Sequence, residues 1–192
     1  MARITTIALD IEGTLISNAV SQFPRPGLFA FLEFCRESFD HVYIYTAVRD
    51  ETCVRIVRTL IDDGFAPEWL AEISFVQWDR SVKDLGNVPG CSVSESLLLD
   101  DNRDYVVDSQ IDQWIEIDEF QSPYRDTDTE LQRVQSVVRE RLSSWNHLRR
   151  FSVRQHGFYA RPAAHLPTLA TRAGLGTISS VQASLASFRA VS

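Results

Sequence analysis

The sequence predicts an α/β fold whose core is a doubly wound parallel sheet. Short apolar runs, rich in β-branched, aromatic and leucine residues, alternate along the chain with stretches whose apolar residues recur at helical spacing. Several of the runs are apolar throughout, which is typical of strands that are buried on both faces. Strands that alternate with helices in this way favour a parallel sheet.

Five strands are predicted from the apolar runs. They span residues 4–9, 41–45, 73–76, 96–99 and 114–117. A polar residue directly follows three of them: Asp10 follows the first strand, Thr46 the second and Asp100 the fourth.

Helices are predicted to lie between these strands. The first spans 27–38, with Pro26 at its start, because the N–H that proline lacks is unpaired in a first helical turn. The second spans 51–63, where Asp50 is predicted to cap the start and Gly64 to end the helix. Its apolar face is predicted to consist of Val54, Val57, Leu60 and Ile61.

A third helix is predicted over 129–143, and the composition changes after it. Residues 1–140 carry a net charge of −14, whereas residues 141–192 contain seven arginines and no acidic residue. We therefore predict a core domain over 1–143 and a basic extension over 144–192 that is partly helical or disordered. The extension could bind an anionic partner or fold back on the acidic core, and the second interpretation is favoured.

Composition excludes several classes of protein. The hydrophobic fraction of 44% and the charged fraction of 23% are ordinary for a globular protein. No apolar stretch approaches the roughly 20 residues that span a membrane, and the N-terminus does not resemble a signal peptide. The acidic core argues against a general nucleic-acid binder.

Three cysteines without CxxC spacing indicate a reduced compartment, which predicts a cytoplasmic location.

Polar residues at three strand ends predict a ligand site. In open parallel sheets, ligands bind beyond the carboxyl ends of the strands, so Asp10, Thr46 and Asp100 are expected at one edge. Any one of them is equally explained as a residue that caps the next turn. With Glu12 and Asp101, however, four carboxylates meet there and require a cation. Oxygen ligands of this kind suit Mg²⁺ better than zinc.

Lys83 is the only lysine of the chain, and the other 18 basic residues are arginines. An ammonium group is a compact point charge, unlike the planar guanidinium. The presence of a single lysine in a chain that otherwise uses arginine favours a functional role for Lys83, although an ordinary surface lysine is the alternative.

Four segments, in order, resemble the motifs of the haloacid dehalogenase superfamily. They are "IALDIEGTL", "VYIYTA", "SVKDL" and "LLLDDN". The segment "FPRPGLFAFLEFCRESFDHVYIYTA" resembles, more narrowly, the Arg-Pro-Gly helix and second strand of the phosphatases of the NLI-interacting-factor/CTD-phosphatase type. The resemblance covers about residues 4–118.

The resemblance implies a role for each matching residue. Asp10 would be the nucleophile that forms an aspartyl phosphate, and Glu12 would protonate the leaving oxygen and then activate water. Thr46 and the adjacent Ala47 would bind the phosphoryl oxygens, and Lys83 would neutralise the charge of the nucleophile and the phosphate.

The resemblance also implies a Mg²⁺ site made of Asp10, Asp100, Asp101 and the backbone carbonyl of Glu12. Two positions depart from the commoner pattern, because Glu12 and Asp101 stand where these phosphatases usually have Asp and Asn. Both substitutions keep an oxygen ligand or a carboxyl group.

The spacing of the motifs leaves no room for a large cap insertion, so the site is expected to be open. The prediction is a Mg²⁺-dependent hydrolase of a phosphomonoester, whose partner is a phosphorylated substrate such as a phosphoprotein. The alternatives are a non-catalytic binding module on the same scaffold, and a nucleic-acid end phosphatase that the acidic core disfavours.

Overall fold

The computed structural model describes residues 3–76, 78 and 81–155, and within the last range its side chains as far as residue 144. The extension predicted over 144–192 lies outside the described residues from 156 onward. The described chain contains five strands and three α-helices, joined by short turns of 3₁₀ helix. None of its helices combines the length and the apolar character that crossing a bilayer requires.

The five strands form one parallel sheet, as predicted. They are β1 (Thr6–Leu9), β2 (His41–Ile44), β3 (Ser74–Phe75), β4 (Ser96–Asp100) and β5 (Trp114–Glu116), and their order across the sheet is β3-β2-β1-β4-β5. The chain builds outward from β1 through β2 to β3 and then returns to pair β4 with the other side of β1. The boundary between β1 and β4 is therefore the point at which ligands bind in such sheets.

The three α-helices pack on one face of the sheet. They are α1 (Leu28–Ser38), α2 (Asp50–Asp62) and α3 (Glu130–Gln155). Their apolar residues share one core cluster with Ile7 and Leu9 of β1. The opposite face, which includes Ala8, is covered by residues from the 3₁₀ turns and loops, such as Leu85 and Val106. Both faces of the sheet are thus buried, and among the described residues no α-helix covers the second face.

The predicted helix boundaries hold at some ends and fail at others. Gly27 is the N-cap of α1 at φ 84°, so Pro26 lies just before the helix rather than in its first turn. Asp50, the predicted cap, is instead the first residue of α2, and Arg49 is the N-cap. Gly64 follows the end of α2 at φ 77°, as predicted for a stop.

Two further expectations about the helices are corrected. Val54 is 56% exposed, and the buried stripe of α2 consists of Cys53, Ile56, Val57 and Leu60. These buried residues follow the i, i+3, i+4, i+7 spacing of one helix face. The predicted face included Val54, which lies on the side of the helix that faces solvent. The third helix does not end at 143 but continues to Gln155, so the predicted domain boundary falls inside α3. The division into two domains stays a prediction.

The connections at the carboxyl edge of the sheet are short. Residues 10–27 join β1 to α1, and residues 45–49 join β2 to α2. Neither connection contains a cap domain, so no large cap insertion is evident in the described part of the chain, as predicted.

Candidate active site

The two central strands of the sheet carry Asp10 and Asp100 to the same place. Asp10 directly follows β1, and Asp100 is the last residue of β4, which pairs with β1 so that Leu9 lies opposite Leu99. The amide of Asp10 continues this ladder by donating to the carbonyl of Leu99 at 3.0 Å. Both carboxylates are buried, and Asp100 is entirely inaccessible.

Lys83 joins these two carboxylates. Its Nζ lies 2.8 Å from Asp10 Oδ1 and also donates a hydrogen bond to Asp100 Oδ2. Its side chain is 1% exposed, so the alternative of an ordinary surface lysine is wrong. The rings of Trp78 and Tyr105 lie 5.4 and 5.6 Å from the ammonium and cover it with aromatic faces, which attract a cation.

Three carboxylates form a cluster that could hold a metal ion. Asp10, Asp100 and Asp101 each offer an oxygen, and these oxygens lie within 4.8 Å of one another. With all three carboxylates ionised, the ammonium of Lys83 leaves a net charge of −2 in the site. An all-oxygen set with this residual charge matches the ligand preference of Mg²⁺. The residues present therefore fit the predicted ion.

The pKa values of the site reflect crowded negative charge. Burial and then the neighbouring charge of Asp10 raise the pKa of Asp100 to about 6, although Lys83 opposes the shift. Burial and Asp10 also raise the pKa of Asp101. Burial alone would lower the pKa of Lys83, but Asp10 and Asp100 together outweigh it and hold that pKa above its ordinary value. Lys83 is therefore a fixed positive charge.

Two residues that the sequence analysis did not assign, Gly13 and Thr14, shape the loop after β1. The buried Thr14 Oγ1 lies 3.0 Å from Asp101 Oδ1 and 3.4 Å from Asp10 Oδ2. Gly13 adopts φ 72°, and a Cβ atom built there would lie 2.7 Å from Asp101 Oδ2. In the sequence, Gly13 and Thr14 directly follow the acidic residues Asp10 and Glu12, and this position was the signal that could have identified their role.

The side chain of Glu12 is not part of the carboxylate cluster. Its Oε1 accepts a hydrogen bond of 2.6 Å from the amide of Ala19, within the connection between β1 and α1. A parallel bridge pairs Glu12 with Ile16 in the same loop. The metal-ligand and acid–base roles of Glu12 stay predictions.

Thr46 and Ala47 follow β2 at the same edge of the sheet. The preceding Tyr45 donates its amide to the carbonyl of Leu9 at 2.8 Å, which brings this segment beside the start of the Asp10 loop. Thr46 is 9% exposed, and its Oγ1 lies 3.4 Å from the amide of Val48. Ala47 is exposed.

A cysteine lies near the cluster without being a nucleophile. Burial and then the charges of Asp50, Asp10 and Glu12 raise the pKa of Cys53 to about 12. Because the thiolate is the reactive form of cysteine, this side chain is inert near neutral pH.

Comparisons with known proteins give one family. Residues 5–149 match the family model of the NLI interacting factor-like phosphatases. No curated protein matches the chain. Among solved structures, the chain is similar to Fcp1, described as an essential RNA polymerase II CTD phosphatase, with 13% sequence identity and a TM-score of 0.45. That match covers 83% of this chain, which spans about 55% of the length of the Fcp1 chain.

Proposed function

Because the chain belongs to the NLI interacting factor-like phosphatase family, we propose that it is a Mg²⁺-dependent phosphatase that hydrolyses a phosphomonoester through an aspartyl phosphate on Asp10. The observation that carries the proposal is the contact of the buried Lys83 with both Asp10 and Asp100, beside the third carboxylate of Asp101. This set combines a nucleophile, a fixed cation and an oxygen-lined metal site.

The first step is the attack of an Asp10 carboxylate oxygen on the phosphorus. The P–O bond to the leaving group breaks as the new P–O bond to Asp10 forms. Lys83 holds Asp10 Oδ1 at 2.8 Å, which orients the carboxylate and places positive charge beside the transferring group. Thr46, which follows the neighbouring strand, binds a phosphoryl oxygen in this proposal.

Glu12 moves the protons of both steps. It donates a proton to the departing oxygen, and it then accepts a proton from the water that attacks the phosphorus of the aspartyl phosphate. That second attack releases inorganic phosphate and restores the Asp10 carboxylate. The hydrogen bond from Ala19 engages Glu12 Oε1, so we assign the transferable proton to Oε2.

The metal site uses the chain's own acids. Asp10, Asp100 and Asp101 would hold Mg²⁺, together with the backbone carbonyl of Glu12. When bound, the ion supplies positive charge against the phosphoryl oxygens. Thr14 orients Asp101 through a 3.0 Å hydrogen bond and so keeps a metal ligand in place.

An open site suits a phosphate on a large substrate. We propose a phosphorylated protein as the substrate class, because neither connection at the site edge contains a cap that would enclose a small molecule. We also place the protein in the cytoplasm, and its three free cysteines support a reduced compartment.

The test is hydrolysis of para-nitrophenyl phosphate with and without Mg²⁺. The purified protein should release nitrophenol with Mg²⁺, lose this activity in EDTA and regain it when Mg²⁺ is restored. Asp10→Asn should abolish turnover while circular dichroism stays unchanged, whereas Asp62→Asn, which alters an exposed carboxylate of α2, should behave like wild type. Acid-quenched wild-type protein should carry phosphate on Asp10.

Other outcomes would contradict the proposal. A folded Asp10→Asn variant with near wild-type turnover would exclude Asp10 as the nucleophile. A protein that binds phosphopeptides but releases no phosphate from any ester would be a binding module. Preferential release of phosphate from a 3′-phosphorylated oligonucleotide would favour a nucleic-acid end phosphatase.

A further inference from the structure

Arg25 is a charged residue buried behind the site, and the predicted catalytic roles do not include it. It is 1% exposed. Its Nη1 lies 3.2 Å from the carbonyl oxygen of Thr14 and 3.4 Å from that of Gly13. Its guanidinium carbon lies 5.2 Å from the centroid of the Phe120 ring.

The other side of the guanidinium binds a carboxylate at the start of α3. Nε and Nη2 of Arg25 donate to Asp128 Oδ1 and Oδ2, both at 3.1 Å. Asp128 Oδ1 also accepts from the amide of Glu130, the first residue of α3, at 3.0 Å. Arg25 therefore connects the N-terminus of α3 to the loop that follows Asp10.

The two carbonyls that Arg25 binds belong to the residues that shape the metal ligands. Thr14 Oγ1 contacts Asp101 and Asp10, and Gly13 leaves no room for a side chain against Asp101. The carbonyl of Gly13 also accepts from the amide of Phe120 at 2.7 Å. The side chain of Arg25 thus holds the backbone of this loop through the carbonyls of Gly13 and Thr14.

We propose that Arg25 is a positioning residue for the catalytic carboxylates. It fixes the carbonyls of Gly13 and Thr14 and thereby keeps Thr14 Oγ1 in place against Asp101 and Asp10. The inference rests on the proposed function, because it assigns those carboxylates to metal binding and catalysis.

The chemistry requires arginine at this position. A guanidinium carries five N–H donors in a planar fork, so it can bind a carboxylate through two bonds and still donate to backbone carbonyls. Lysine would keep the charge but has no planar fork, and its ammonium cannot reproduce both sets of contacts. Asp128 balances the buried charge of Arg25.

The alternative role is purely structural: Arg25 would only anchor α3 to the core. Arg133 provides a matched control, because it also ties the start of α3 to the sheet. Its Nη2 donates to the carbonyl of Glu116 at 2.9 Å and to Glu130 Oε2 at 2.7 Å, and none of its side-chain hydrogen bonds reaches the loop after Asp10. Loss of Arg133 therefore tests helix anchoring without changing the carbonyl contacts of Arg25.

The experiment compares Arg25→Lys, Arg25→Met, Asp128→Asn and Arg133→Met in the full chain. Thermal unfolding reports helix anchoring. Hydrogen exchange of the Phe120 and Gly13 amides reports the order of the loop. Binding of Mn²⁺ alone, followed by electron paramagnetic resonance, reports the carboxylate geometry without any turnover. Steady-state hydrolysis of para-nitrophenyl phosphate gives kcat and KM.

We expect Arg25→Lys to lower kcat about 10²-fold, with a smaller effect on KM, because small displacements of catalytic groups have effects of this size. Its affinity for Mn²⁺ should fall about 10-fold or more, as for other residues that support metal ligands. Exchange at Phe120 and Gly13 should accelerate. Arg133→Met should lower the Tm while leaving kcat, exchange in the loop and Mn²⁺ affinity unchanged. Asp128→Asn, which keeps the shape of the partner, should show the same pattern as Arg25→Lys to a smaller degree.

The inference is overturned if folded Arg25→Lys and Asp128→Asn proteins bind Mn²⁺ and turn over substrate like wild type, whatever their Tm. It is also overturned if Arg133→Met impairs Mn²⁺ binding as strongly as Arg25→Lys. If Arg25→Met does not fold, Arg25→Lys and Asp128→Asn decide, with Arg133→Met as the control. A wild-type protein that lacks phosphatase activity would contradict the proposed function, yet the exchange and Mn²⁺ measurements would still test Arg25.

Discussion

The ammonium of Lys83 lies 2.8 Å from Asp10 Oδ1, and the lysine side chain is almost completely buried, with 1% of its surface exposed. Lysine ammonium groups almost always remain at the protein surface, and burying one without a charged partner is strongly unfavourable. Here the ammonium also bonds Asp100, so one lysine is shared between the residue after β1 and the last residue of β4. The stability of the site and its proposed chemistry therefore depend on the same contact.

Replacement of Lys83 should affect stability and turnover together. Lys83→Met leaves two buried carboxylates without their cation, and breaking a buried pair in this way costs about 3–5 kcal/mol of the free energy of unfolding. Lys83→Arg keeps the charge, but the planar guanidinium is too large for a position between two oxygens. We expect both variants to lose most activity, and Lys83→Met to be the less stable in urea unfolding. Wild-type turnover in Lys83→Arg would show that only the charge matters.

Gly13 and Gly90 allow backbone strain to be separated from an effect on the site. Both have positive φ, 72° and 70°, but a Cβ atom at Gly90 meets nothing within 4 Å, whereas one at Gly13 lies 2.7 Å from Asp101 Oδ2. Alanine in this conformation costs about 1–2 kcal/mol at either position. We expect Gly13→Ala to lose more stability than Gly90→Ala, because only its Cβ atom also clashes with Asp101, and we expect loss of activity only in Gly13→Ala. Equal activities in the two variants would mean that Asp101 adjusts without consequence.

Thr14 should act through its hydroxyl group rather than its volume. Thr14→Val keeps the shape but removes the donor to Asp101, so this carboxylate loses the bond that orients it. We expect the affinity for Mg²⁺, measured from the metal dependence of hydrolysis, to fall about 10–100-fold. Thr14→Ser retains the hydroxyl and should stay much closer to wild type. A serine variant as impaired as the valine variant would assign the effect to packing instead.

Glu12→Gln should discriminate between leaving groups. The amide oxygen can still accept the hydrogen bond from Ala19, so the loop is preserved while the proton donor is lost. General acid–base catalysis contributes about 10²–10⁴-fold. The rate on an alkyl phosphate should therefore fall much more than the rate on nitrophenyl phosphate, whose leaving group needs little protonation. The aspartyl phosphate should accumulate in acid-quenched samples. Equal losses on both esters, without accumulation, would remove Glu12 from proton transfer.

The residues at the strand ends could be predicted from the sequence because two simple rules act there. Buried parallel strands read as apolar runs, and a parallel sheet brings its carboxyl ends to one edge. Asp10 and Asp100 obey both rules, and the structure brings them together. Lys83 could be singled out by its rarity and by the resemblance of its segment to a known motif, but its burial also depends on Asp10 and Asp100, which are distant in sequence.

Other features depend on tertiary contacts that no local pattern encodes. The bond between Thr14 and Asp101 joins residues that are 87 positions apart, and that between Arg25 and Asp128 joins residues 103 positions apart. Val54 was misplaced because two helical stripes one residue apart are almost equally apolar. In both cases, the local spacing of residues did not determine the contact or the buried face, which depends on packing against the rest of the fold.

The outermost strands of the sheet are also its shortest. β3 offers two residues and β5 three, whereas a dry β-zipper between chains typically needs six or seven. The unpaired backbone groups on these rims are thus too few to template the addition of a foreign strand. The longer strands β1 and β4, which are followed by Asp10 and end at Asp100, lie inside the sheet, where each is paired on both sides. A crowded solution of this protein should accordingly be protected against edge-to-edge aggregation by the same strand order that brings its candidate active-site residues together.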